Sequence, residues 1–358
     1  MCLTLLLRRR RAPIPEPAGV QKILVIRQHN QLGDMLCVVP LLRGFRLAYP
    51  SAHITLMASP VNADVMHFSS YIDKLINYDK KAFARNGWFY PLVYLRFLAG
   101  LRKERFDITL VPMTVSMSFT SCLLAFLSGA KARVGASMID GKENPAAAFF
   151  THPVVLDWRN DPHRHQALRN LDSARDLRLP AAELQSEITL TEEELAHGET
   201  FVRRARGERK FAIVFHPGAG KIANRWPADR FAITANDLAE AFKALVIITR
   251  GPMDEGPVEK MAGALREQPV IIRDRSIREV AGILAHADLV VSNDTGIMHV
   301  AAAVGVPVLS LFGPTDPQQW APVGEEHRFL RSGQDIRSFA TEDVVKCARE
   351  MLGRKAVW

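Results

Sequence analysis

The sequence predicts an α/β protein built from two Rossmann-like domains, each a parallel sheet with helices on both faces. Three observations carry this reading. The chain has 358 residues, too many for one ordinary domain and suited to two of roughly 150–200 residues each. Short β-branched apolar runs alternate with longer amphipathic segments, and uninterrupted apolar runs mark strands buried on both faces. The alternation occurs twice, on either side of a charge-rich stretch over 157–210.

In the first half, strands are expected at 22–27, 54–58, 74–78, 108–112 and 133–136, with helices at 34–49, 82–105 and 116–127. In the second half, strands are expected at 212–216, 245–249, 270–273, 289–292 and 308–312, separated by helices at 228–242, 254–267, 276–285 and 296–304. Pro227 suits the first turn of the helix it opens, where a missing N–H is no loss. In the charge-rich stretch, Thr191 followed by Glu192, Glu193 and Glu194 reads as a capped helix start. The segment 341–353 has apolar residues at helical spacing and could pack on either domain. The expected division is a basic tail at 1–20, a first domain at 21–180, a linker at 181–209, a second domain at 210–340 and a terminal helix at 341–358.

Apolar residues make up 48% and charged residues 23% of the chain. That balance excludes disorder as the main state, and collagen-like or coiled-coil architectures. Cys2, Cys37, Cys122 and Cys347 lie far apart with no C-x-x-C pair, which argues for reduced thiols in a cytosolic protein. The net charge is +8, and Arg8, Arg9, Arg10 and Arg11 follow an apolar start. A signal peptide has the opposite order, and the apolar run falls far short of the roughly 20 residues that span a bilayer. Two readings of this tail stand: no role, or a segment that helps hold the protein on an anionic membrane face. The basic residues elsewhere are mixed with acids and form no aromatic-interleaved patch, so nucleic acid is not an expected partner. Two more apolar stretches are interrupted, 88–101 by Pro91 and Arg96, and 296–312 by His299, Gly305 and Pro307. They read as elements of a folded core or, for the first, a surface helix.

Three segments carry chemistry. In the first, strand 22–27 leads through Gln28, His29, Asn30 and Gln31 to Gly33 and Asp34 at a helix start. A carboxylate at the carboxyl end of a parallel strand can accept a proton from a hydroxyl nucleophile; the alternative is a helix N-cap. No G-x-G-x-x-G follows the strand, so a nicotinamide-type fingerprint is absent. In the second, strand 212–216 leads into Pro217, Gly218, Ala219, Gly220 and Lys221, with Asn224, Arg225 and Trp226 beyond. Loop amides and nearby cations make an anion site, without Walker spacing; the alternative is an ordinary strand–helix turn. In the third, strand 289–292 is followed by Asp294, Thr295 and Gly296, and His299 lies one helical turn on. This suits a pyrophosphate, while His299 alone is more often a structural histidine.

Together these segments resemble glycosyltransferase family 9, the group of the lipopolysaccharide heptosyltransferases. The likeness runs over 22–322 and rests on Leu32-Gly33-Asp34, on His216-Pro217-Gly218-Ala219 with Arg225-Trp226-Pro227, and on the run from Asn293 to Ala303 with Phe312-Gly313-Pro314-Thr315-Asp316. The resemblance implies a GT-B fold, with two Rossmann-like domains whose parallel sheets face a central cleft. It implies an inverting sugar transfer from a nucleotide-sugar, usually ADP-heptose, with no metal and no cofactor. The acceptor would be a lipopolysaccharide-core or other cell-envelope glycan, received by the first domain, while the second domain holds the nucleotide-sugar.

By the same resemblance Asp34 is the general base. Gly218, Ala219, Gly220, Lys221, Asn224, Asp294, Thr295, Gly296 and His299 bind the donor phosphates, and Glu255 binds the ribose. His29, Asn30, Gln31 and Gly33 form the acceptor loop. Two departures stand out: Asn224 occupies a position where heptosyltransferases typically carry Lys, and the loop before Leu32 is one residue longer than the commonest form. The expected location is cytoplasmic, with peripheral contact to the inner membrane. The competing classes are a nucleotide-sugar 2-epimerase of the same fold, separable because it needs no acceptor, and a non-catalytic scaffold binding nucleotide or membrane.

Overall fold

The computed structural model describes residues 13–28, 31–85, 88–331 and 333–356. The chain forms two compact units, Met1–Leu184 and Gln185–Trp358.

The first unit runs β1 (Lys22–Arg27), α1 (Leu32–Leu36), α2 (Val39–Ala48), β2 (His53–Ala58), α3 (Pro60–Met66) and β3 (Lys74–Asn77). It continues with β4 (Ala84–Arg85), β5 (Trp88–Phe89), α4 (Pro91–Lys103), β6 (Ile108–Val111) and α5 (Phe119–Leu127). It ends with β7 (Ala132–Ile139), β8 (Lys142–Glu143), β9 (His152–Leu156) and α6 (Gln166–Asp172). The main sheet has the order β3-β2-β1-β6-β7, with β9 parallel and β8 antiparallel to β7. The chain therefore winds outward from β1 in one direction and returns to wind outward in the other.

The expected helix over 34–49 is two helices. Pro40 sits in the first turn of α2, and its ring excludes the carbonyl of Leu36 from a continuous helix, so α1 stops there. The expected helix over 82–105 starts only at Pro91; before it, β4 and β5 pair as a short antiparallel ribbon. Proline is at home in a first turn and nowhere deeper in a helix.

The second unit runs α7 (Glu192–Arg206), β10 (Phe211–His216), α8 (Ala228–Phe242), β11 (Ala244–Thr249), α9 (Glu255–Gly263) and β12 (Val270–Ile272). It continues with α10 (Ile277–Leu284), β13 (Leu289–Asn293), α11 (Gly296–Ala303), β14 (Val308–Phe312), α12 (Pro317–Trp320), β15 (Arg328–Arg331) and α13 (Thr341–Ala356). Its six strands are all parallel, in the order β12-β11-β10-β13-β14-β15. Every residue of β13 and β14 is buried, as strands covered on both faces require.

The stretch expected as a linker, 181–209, is mostly α7. Its capping box is present, with Thr191 and Glu194 each bonding the other's backbone. α7 packs on α10 at a glycine crossing, where a Cβ on Gly198 would lie 2.0 Å from the carbonyl oxygen of Gly282. Only glycine lets two helix backbones approach so closely. Arg278 on α10 bonds Glu194 at 2.5 Å. The terminal helix α13 packs on α8 within this unit, its Val344, Ala348 and Leu352 joining the core around Phe231.

Candidate active site

In a doubly wound sheet, ligands sit beyond the carboxyl ends of the strands where the winding reverses. In the second unit the reversal falls between β10 and β13. The loop after β10 carries Gly218, Ala219, Gly220 and Lys221, and the loop after β13 carries Asp294 and Thr295. Asn293, fully buried at the end of β13, ties the loops together. Its amide donates to the carbonyls of Pro217 at 3.0 Å and Gly218 at 3.1 Å, and its oxygen accepts from the Trp226 backbone N–H at 3.0 Å. The Trp226 ring lies edge-on to Phe231 at 5.0 Å, anchoring the far end of the loop in the core. Asn224 is buried and donates to Asp294 Oδ2 at 3.0 Å and Thr315 Oγ1 at 3.3 Å. Gly218, Ala219, Asn224, Asp294 and Thr295 are thus built into one frame, with Lys221 exposed at its lip.

Burial pushes the Asp294 carboxyl above the usual carboxylate range, against a hydrogen bond from Thr315 and the nearby charge of Lys221. Thr295 is the N-cap residue of α11, yet no side chain caps that helix. The Thr295 hydroxyl instead meets Ser292 Oγ at 3.3 Å. The first-turn N–H groups and the positive end of the helix dipole are left for another acceptor. His299 is buried in the first turn, its ring edge-on to Trp320 at 6.4 Å.

Sequence reasoning gives Asp254 no role in this frame and names His216 only as part of the loop motif. A Cβ on Gly218 would lie 2.1 Å from the carboxyl carbon of Asp254, so this glycine makes room for a carboxylate. Asp254 accepts from the Gly251 N–H at 3.0 Å and lies 3.7 Å from His216 Nε2. His216 Nδ1 meets Thr249 Oγ1 at 2.9 Å, and burial lowers the His216 pKa against the opposing pull of Asp254. Glu255, the residue singled out for a ribose, is exposed at the start of α9 and pairs with Arg250 at 3.3 Å.

In the first unit the winding reverses between β1 and β6, and Arg27 and Asp34 stand there. Arg27, the last residue of β1, is 2% exposed; its guanidinium donates to Asp34 Oδ1 at 2.5 Å and to the Pro112 carbonyl, just past β6, at 2.8 Å. Asp34 is buried in the first turn of α1. The N-cap position belongs to Gln31, so the capping alternative for Asp34 is corrected to a buried ion pair. Burial lowers the Arg27 pKa, and Asp34 opposes that shift. Burial, followed by the charge of Asp34, pushes the Cys37 thiol up to about 12. Cys37, Cys122 and Cys347 are free. Gln31 is exposed and Gly33 buried; His29 and Asn30, like residues 1–12 of the basic tail, lie outside the described residues. Among the described residues there is no group of three or more His, Cys, Asp or Glu side chains able to hold a metal, and no helix long and apolar enough to cross a membrane.

Likenesses to known proteins bear on this geometry. Salmonella typhimurium lipopolysaccharide heptosyltransferase 2 is 27% identical over 328 residues, covering 87% of this chain and 88% of the relative. The crystal structure of a family 9 glycosyl transferase from Veillonella parvula superposes with a TM-score of 0.80 at 23% identity, covering 93% and 97% of the two chains. The structure of E. coli ADP-heptose lps heptosyltransferase II gives 0.76 at 21% identity, covering 94% and 100%. These likenesses give the fold as GT-B. The family profile described as glycosyltransferase family 9 (heptosyltransferase) matches residues 94–348. That match spans well over half of the sequence and takes in both switch-point loops of the second unit, so the chain belongs to glycosyltransferase family 9 and is a glycosyltransferase.

Proposed function

We propose that the protein transfers a heptose, with inversion, from ADP-heptose to a lipopolysaccharide-core acceptor at the cytoplasmic face of the inner membrane. The observation that carries this reading is the uncapped N-terminus of α11 beside the loop after β10, locked together through Asn293. That arrangement suits a diphosphate. The heptosyltransferase names of the relatives support the sugar, the donor and the acceptor class.

In this mechanism the second unit holds the donor and the first receives the acceptor. Amides of the two loops, the dipole of α11 and His299 face the diphosphate, while Lys221 supplies the cation that Asn224 cannot. The acceptor hydroxyl oxygen attacks the anomeric carbon as the bond to the departing phosphate oxygen breaks. A sugar hydroxyl is a weak acid, so its proton passes to the Asp34 carboxylate during attack. Arg27 fixes the direction in which that carboxylate points. The negative charge gathering on ADP is stabilised by fixed N–H dipoles and Lys221, with no step assigned to a metal. Glu255, at the lip of the loop after β11, is the proposed ribose contact.

The test is to incubate the protein with ADP-heptose and a heptose-deficient lipopolysaccharide-core acceptor, and to follow the product by mass and by its anomeric proton. One added heptose in the inverted configuration, undiminished by excess chelator, is expected. Conversion of the nucleotide-sugar without acceptor, or activity lost to chelator and restored by Mg²⁺, would count against the reading.

A further inference from the structure

We infer that β5 and the outer face of α4 form a docking surface for an anionic lipid bilayer. α4 packs inward through Tyr94, Phe97 and Leu101, and the rings of Tyr78, Phe83, Tyr94 and Phe97 stand 5.1–6.4 Å apart in a cluster beneath it. The opposite face is left to solvent. Trp88 is 76% exposed, Leu92 70% and Leu95 58%, and Phe89, Tyr90 and Val93 beside them are exposed as well. Leu92 and Leu95 lie one helical turn apart on α4, and Trp88, Phe89 and Tyr90 run directly before it, with the Phe89 ring also meeting Tyr94 at 5.7 Å. Scattered exposed apolar residues need no explanation, but a contiguous patch led by Trp and Tyr does.

Along the same helix the outer face changes character. Leu92, Leu95, Arg96, Ala99, Arg102 and Lys103 follow at helical spacing, so an apolar end passes into a basic end within one 13-residue helix. At the basic end, Arg102, Lys103 and Arg105, with Phe106 and Lys131, line an open hollow of about 550 Å³, where Lys131 pairs with Asp107 at 3.0 Å. Over 80–105 the sequence has seven Lys and Arg and one acid, Glu104. That acid is already held by Lys22 at 2.9 Å and Lys74 at 2.6 Å. Arg96, Arg102, Lys103 and Arg105 are exposed.

A partner that met only the apolar end would leave this charge uncompensated. A bilayer surface with anionic lipid matches both ends: Trp and Tyr settle at the headgroup level, the apolar side chains enter the acyl boundary, and the guanidinium and ammonium groups meet phosphates. The surface stands whichever sugar the enzyme moves.

The experiment is co-sedimentation of the full chain with phosphatidylcholine vesicles, with and without phosphatidylglycerol. Binding to the anionic vesicles, weakened by salt, is expected. Trp88→Ser/Leu92→Ser/Leu95→Ser and Arg96→Glu/Arg102→Glu/Lys103→Glu should each lower the partition coefficient about tenfold or more, with unchanged thermal unfolding. Replacing Arg8, Arg9, Arg10 and Arg11 together by Gln should leave most of the binding in place. Vesicle binding that both triple variants retain would overturn the inference. So would binding lost only with the tail arginines, absence of binding to either vesicle, or an apolar triple variant whose sole effect is to split a dimer.

Discussion

Asp34→Asn separates the two things this residue can do. Asn keeps the size and one oxygen for Arg27, but it cannot take up a proton as the carboxylate does. If Asp34 is the base, turnover falls about 100- to 10,000-fold. The same change also removes the countercharge of a guanidinium that is 2% exposed. Breaking a buried pair by altering one partner costs about 3–5 kcal/mol. The retained oxygen at the 2.5 Å contact should hold the loss near the lower end, about 3 kcal/mol. Heptosyl transfer should therefore be measured per folded molecule, beside a urea unfolding curve. Arg27→Met gives the control. Combined with Asp34→Asn, it should show a coupling of about 1–3 kcal/mol in stability and no return of turnover. A folded Asp34→Asn enzyme at full turnover would refute the reasoning and leave Asp34 as a structural partner of Arg27.

Three other substitutions follow from the geometry. His299→Ala should weaken ADP and ADP-heptose about 10- to 150-fold, equivalent to about 1.5–3 kcal/mol, and leave adenosine unchanged in calorimetric titration; unaltered ADP affinity would make His299 a core residue packed on Trp320. Gly218→Ala drives a Cβ into the Asp254 carboxylate, which the Gly251 N–H holds in place; a loss of about 1–3 kcal/mol in chemical denaturation and weaker ADP binding are expected, and a neutral variant would mean that Asp254 swings aside freely. Arg278 holds the Glu194 carboxylate down from 4.5 to about 2, a shift worth up to about 3 kcal/mol that partial exposure screens to about 1–2 kcal/mol. A depressed carboxylate adds stability above its unfolded pKa and loses it as pH falls from about 4.5 toward 2. Glu194→Gln should thus cost stability at pH 7 and match the parent near pH 2; a gap independent of pH would contradict the assignment.

The strands at both switch points were legible in the sequence because a strand buried on both faces is an uninterrupted apolar run, as in β1, β10, β13 and β14. β15 escaped notice because it is an edge strand: Arg328 and Arg331 face partly outward and break the run. The break between α1 and α2 falls at Pro40, inside a run whose apolar spacing continues on both sides. In the site, the glycine-rich loop and the Asp294-Thr295-Gly296 turn were visible as local patterns. Asn293 was visible only as the first residue of the run around that turn, and Asp254 was not visible at all: Asn293 bonds a carbonyl 75 residues away, Asp254 lies against His216 and Gly218, and that pairing exists only in the fold. Arg27 was hidden for a similar reason. A cation at the end of an apolar strand reads as the strand's exit to water, whereas here it is closed off by Asp34 and the Pro112 carbonyl. The aromatic ribbon before α4 falls inside the expected helix over 82–105, although Pro91 marks where the helix starts and Trp88 is exposed.

The account turns on the second unit holding a nucleoside diphosphate through its two switch-point loops. Calorimetric titration of the unmodified protein with ADP, ADP-heptose and adenosine tests this most directly. The prediction is saturable, one-to-one binding of ADP and ADP-heptose, at least about tenfold tighter than adenosine because the diphosphate meets charge-facing donors that the nucleoside lacks. Equal affinity for adenosine and ADP, or no binding of ADP and ADP-heptose, would contradict it.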